Sequence, residues 1–138
     1  LKYYARIPAG NIRAALAEVE RQRAFASASR PGTRSGEILA LELDLAARMA
    51  AQSCKIMLWQ QSLAACEAAR ARQMALSGKR ELRDLDHDFR GYWPLRNKGT
   101  TANSSPFLQW RTKDYQRGSL HFSPDAARVT KPRTYAAE

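Results

Sequence analysis

Four carboxylates crowd one stretch of the chain, Glu81, Asp84, Asp86 and Asp88, with His87 among them. On a helix Asp84 and Asp88 share a face, and two carboxylates so placed could act as a general acid–base pair or hold a divalent cation. Lys79, Arg80, Arg83 and Arg90 lie within three or four residues, the spacing of an ion-paired, solvated helix face. Ion pairing is therefore the expectation. Cys54 and Cys66 are 12 positions apart in an Ala-rich helical pattern. A helix would hold them about 18 Å apart, beyond disulfide reach. Both read as small buried hydrophobes in a reducing compartment. His87 and His121 are remote from the thiols, so no zinc-ligand spacing exists. His121 reads as a packed residue between Leu120 and Phe122. Phosphate-loop and nucleophile-elbow patterns are missing, and Ser104–Ser105 reads as a helix cap. No catalytic residue, metal or cofactor is assigned, and the chain by itself is not expected to be an enzyme.

The most specific stretch is Tyr92-Trp93-Pro94-Leu95-Arg96-Asn97. A buried Trp93 indole, with the Arg96 guanidinium on terminal carbonyls or a nearby carboxylate and Asn97 closing the helix, would make a terminus anchor. The functional alternative is an arginine–aromatic surface that grips a partner, with Trp110 as a further anchor.

The elements that must position these residues are helices. Residues 1–10 form a lead-in broken by Pro8 and Gly10. Asn11 is a good N-cap for an amphipathic helix over 11–28, with Ile12, Leu16 and Val19 as its stripe and Phe25 or Ala26 continuing it. Pro31, Gly32 and Gly36 mark a connection, and Ser35 caps the next helix. Ile38, Leu41, Leu45, Met49, Ile56, Trp59 and Leu63 make that helix a long one. Leu39, Leu43 and Leu58 widen its stripe, which predicts burial on more than one side. One helix over 37–77 would be about 60 Å long. A second stripe (Ala68, Ala71, Ala75, Gly78, Leu82, Leu85, Phe89, Trp93) instead predicts an antiparallel hairpin turning near 64–67, its small residues allowing close helix approach. Pro94 should kink or end that helix near Trp93. Ser105, Pro106 and Gly118 bracket a helix over 106–117. The remainder, 118–138, reads as an irregular, extended basic tail. The predicted fold is all-α, a helical hairpin or bundle over 11–117.

Composition narrows the role. The 138 residues carry 23 Lys+Arg against 13 Asp+Glu, a net charge of +10, concentrated at both ends of the chain. Seventeen of the cations are Arg, suited to bidentate pairing with carboxylate or phosphate. No apolar run approaches the roughly 20 residues of a membrane span, and no signal peptide is seen, which favours the cytoplasm and no membrane partner. The chain opens on Leu1, as a trimmed or excised piece would.

Glu37–Leu45 with Ala46, Ala47 and Met49, a second helix ending in Trp93-x-x-Arg96-Asn97, and Ser105 eight residues on together resemble the helical C-terminal region of glycoside hydrolase family 20, the β-N-acetylhexosaminidases. The likeness covers roughly 12–117 and is carried by Trp93, Arg96 and Asn97. Pro94 departs from it, as does Lys98-Gly99-Thr100 where the family has an Arg-Pro-Gly-Gly-like turn. The family's catalytic Asp-Glu pair lies in its barrel, so no position here inherits it. The resemblance implies a non-catalytic helical region packed on a catalytic domain.

Two other readings compete. One is a basic helical nucleic-acid-binding protein, with Arg128, Lys131 and Arg133 among its anion contacts. The other is a structural subunit of a large assembly, its tail wrapping a neighbour.

Overall fold

The computed structural model describes residues 4–29, 31–101 and 107–118. A 3-10 turn (Tyr4–Arg6) leads into α1 (Ala9–Ala28), α2 (Arg34–Ala64), α3 (Ala68–Arg96) and α4 (Phe107–Gly118). No strand forms among the described residues, and the fold is an all-α bundle. Ser105, Pro106, His121 and the tail cations Arg128, Lys131 and Arg133 lie outside the described residues.

Local chemistry moves three predicted boundaries. α1 begins ahead of Asn11, because the Pro8 carbonyl accepts from the N–H groups of Asn11 (3.0 Å) and Ile12 (3.3 Å), and no side-chain cap is used. α2 is capped by Thr33 in place of Ser35, its Oγ1 accepting from the Gly36 N–H at 3.1 Å. α3 runs through Pro94 to Arg96. The proline removes one N–H near the helix end, where a single lost bond is tolerated and the final turn is tied to α2 from outside.

The hairpin turns where the small-residue pattern places it. Cys66 adopts φ 57°, with its N–H on the Leu63 carbonyl (3.1 Å) and the Glu67 N–H on Ser62 (2.9 Å). That is a Schellman closure with cysteine in the left-handed position glycine usually takes. Cys66 is therefore exposed, against the expectation of two buried cysteines, whereas Cys54 is buried and its thiol pKa is raised by desolvation.

α2 is the spine. α1 packs along one flank, α3 runs antiparallel along another, and α4 returns along α3. The buried cluster joins Leu45, Ile56 and Trp59 of α2 to Ala71, Ala75, Leu82 and Leu85 of α3 and Leu108 and Tyr115 of α4. Every buried residue of α2 lies at or beyond Leu45. Leu39, Leu41 and Leu43 are consequently exposed, and the predicted burial of α2 on several sides fails over its first third. Phe25 is likewise 73% exposed, so the α1 stripe ends before it. Ala68 is exposed as well.

At Gly78 the close approach predicted for two helix backbones is made by a ring. A Cβ there would sit 2.3 Å from Cζ of Tyr115, which is 1% exposed. Gly118 is the last residue of α4 instead of the first beyond it, and a Cβ there would meet Cη2 of Trp59 at 2.3 Å. Trp59 and Tyr115 close the contact, their ring centroids 4.9 Å apart at 59°.

Gly78→Ala should therefore lower stability by about 1–3 kcal/mol through overpacking, read as a drop in Tm by circular dichroism. The same change at Gly91, where a Cβ meets nothing within 4 Å, should be neutral or mildly stabilising.

Candidate functional site

The predicted anchor residues divide between two places. Trp93 is half-buried against Phe89, with centroids 5.4 Å apart, and its Nε1–H is buried with no acceptor among the described residues. Arg96 reaches Glu42 on α2, Nε to Oε1 at 2.8 Å and Nη2 to Oε2 at 3.3 Å. The Tyr92 hydroxyl donates to the same Oε1 at 2.7 Å. Asn97 closes α3, its backbone N–H (3.0 Å) and its Nδ2 (3.3 Å) both donating to the Trp93 carbonyl. Gly99 then takes φ 90°. Trp110, by contrast, stands on α4, 57% exposed.

Glu42 is the hub of the first group. The hydrogen bonds from Tyr92 and Arg96 hold its carboxyl below the usual glutamate range. The same contact pushes the Tyr92 phenol upward.

A second polar centre lies between α1, α2 and α3, where a cleft of about 470 Å³ opens. Val19, Ala51 and Leu85 are its apolar lining, and charged side chains from all three helices close over it. Lys55 Nζ bonds Glu81 Oε2 at 2.8 Å and lies 3.8 Å from Glu20. Arg48 pairs with both Asp88 and Asp44, and Arg23 reaches Asp44 at 2.6 Å. Beneath them Gln52, 3% exposed, donates to Glu81 and accepts from the Tyr115 hydroxyl at 3.5 Å. Burial, and then the Glu81 charge, drive the Tyr115 phenol pKa upward, so it stays protonated as that donor.

The carboxylate cluster read from the sequence is therefore ion-paired, but largely across helices. Only Asp86 takes a partner from its own helix, Arg90 at 2.8 Å. Glu81 and Asp88 turn into the cleft toward α2 cations, and Asp84 lines it without an ion pair. Lys79, Arg80 and Arg83, expected to neutralise this cluster, pair with none of it. His87 is exposed. No group of three or more His, Cys, Asp or Glu among the described residues could hold a metal ion. No helix among them is long and apolar enough to cross a membrane.

Gln52 and Tyr115 escaped sequence reasoning. A polar residue in an α2 stripe position carries no sign of the distant partner that offsets the cost of its burial. Tyr115 did stand out among the aromatics of α4, but nothing in the pattern pairs it with Gly78.

No family model, curated protein or solved structure matches this chain.

Because the folded Glu42 pKa is lowered, its contribution is complete above the ordinary glutamate value of about 4.3 and disappears as pH falls through the folded value. The Tm gap between the native chain and Glu42→Gln should thus be widest near pH 7 and shrink steadily toward pH 2.5. A gap that stays constant over this range would deny Glu42 its role as a charged hub.

Proposed function

We propose that the chain is a non-catalytic docking region that packs against another protein domain, in the manner expected of a helical part of a carbohydrate-active enzyme beside its catalytic barrel. The observation that carries this reading is the first third of α2. Leu39 and Leu43 are each 51% exposed, and Ala46 and Ala50 continue the same face at helical spacing. Farther along it the Ser53 hydroxyl is turned onto its own helix, donating to the Met49 carbonyl at 3.1 Å. An apolar strip of this kind on a helix already packed on other sides fits a protein partner better than solvent.

The clamp at Glu42 supports the same reading. It holds the last turn of α3 on α2 beside the strip and so presents a fixed edge to a partner. The resemblance carried by Trp93, Arg96 and Asn97 supplies the partner's class, a glycoside hydrolase barrel.

The test starts with the coding sequence upstream of Leu1. A reading frame that begins at or just before this residue, with no barrel ahead of it, defeats the proposal. With a barrel present, Leu39→Glu/Leu43→Glu in the long protein should accelerate thermal loss of N-acetylhexosaminidase activity severalfold. The same pair in the 138-residue chain should leave its own stability within about 1 kcal/mol, as surface substitutions do. Equal inactivation rates for the long protein and its variant would also count against the docking role.

A further inference from the structure

The cations left over when the carboxylates are satisfied are not scattered. Arg72, Lys79, Arg80 and Arg83 on α3, and Lys113 and Arg117 on α4, make no ion pair among the described residues; elsewhere among them only Arg6, Arg13 and Lys98 share that state. The reason lies in the helix register. Glu81 and Asp88 face the cleft, while Arg72, Arg83 and Lys79 sit roughly a third to a half turn around α3, toward α4 and solvent.

Three of these cations converge on a groove of about 520 Å³ between α3 and α4. Lys79 and Arg83 line it from α3, and Lys113 lines it from α4. Leu82 and Leu108 form the floor, and Gln109 and Gln116 contribute side-chain amides. The groove's one carboxylate, Asp86, is committed to Arg90. At the rim, Trp110, Lys113 and Arg117 share the outer face of α4 at i, i+3, i+7 spacing, and the Trp110 indole is 57% exposed.

We infer that this α3–α4 face binds single-stranded nucleic acid. Lys79 and Arg83 are one helical turn apart, about 6 Å, as are Lys113 and Arg117, so each pair can meet neighbouring phosphates of an extended strand. Trp110 offers an open ring for an unpaired base. A nucleotide strand repeats one anion and one flat π-face per unit, which matches a surface that sets a bare indole among unpaired cations. An acidic peptide or a sulfated glycan repeats the charge without the π-face. A duplex would keep its bases stacked away from Trp110. The inference is independent of the docking strip, which lies on α2.

Fluorescence anisotropy with a 5′-labelled 12-mer of uridine and the full chain tests it. Binding should weaken steeply with salt. Lys79→Gln/Arg83→Gln/Lys113→Gln should lose at least tenfold in affinity at low salt and lower the log–log salt slope by about 2. Trp110→Ala should cost roughly tenfold. Arg6→Gln/Arg13→Gln should change little, and circular dichroism should show every variant folded. Failure of the native chain to bind at low salt would overturn the inference. So would binding abolished by neutralising Arg128, Lys131 and Arg133 but untouched by the groove variants. Equal affinity for a heparin 12-mer together with indifference to Trp110→Ala would reassign the face to a charge-only polyanion and overturn it as well.

Discussion

One ring holds the bundle's third dimension. α2 and α3 alone would make a two-helix hairpin, and α1 extends it along the flank of α2. What turns this into a bundle with an inside is Tyr115, whose side chain lies on the bare backbone of Gly78 and against the face of Trp59. Its hydroxyl enters the polar layer at Gln52 and, through it, Glu81. An aromatic buried to this degree contributes about 3–5 kcal/mol relative to alanine. Here it also sets where α4 can stand, because Gly78 and Gly118 leave room for this arrangement and little else.

Placing α4 has consequences for the charges. The bundle uses its carboxylates inward and lengthwise: Glu42 to Arg96 at one end, Asp44 and Asp88 around Arg48, then Glu81 on Lys55. The pairs step along α2 and α3 in opposite directions, so they select antiparallel register as well as adding stability. Each is partly exposed and worth about 0.2–1 kcal/mol at most. Their larger effect is subtraction. Once the acids are used between helices, the cations on the far side of α3 and on α4 remain uncompensated and gather along one face.

The helices and their hairpin were legible because apolar spacing states which side of a helix seeks burial. The turn at 65–67 was legible too, since Ala71, Ala75 and Gly78 mark a new close-packed face. Legibility failed where a residue's fate depends on the coverage available. Leu39, Leu43 and Phe25 belong to apolar patterns as good as those of Leu45 or Ile12, but no described helix extends far enough to cover them. Pro94 misled because its rule holds for helix interiors and it sits one turn from an end that Glu42 secures. The aspartate cluster was read as ion-paired, yet local spacing named Lys79, Arg80 and Arg83 as partners where the fold supplies Arg48 and Lys55 from α2. Three-dimensional partners of that sort leave no local trace in a single sequence.

Amide hydrogen exchange of the full chain, with and without Tyr115→Ala, isolates the role of this ring. In the native chain the α4 amides should be protected to nearly the level of the α2–α3 core. In the variant they should lose that protection selectively while α2 and α3 keep most of theirs. Free exchange of α4 in the native chain, or uniform weakening of all helices in the variant, would show that Tyr115 does not hold the fourth helix in place.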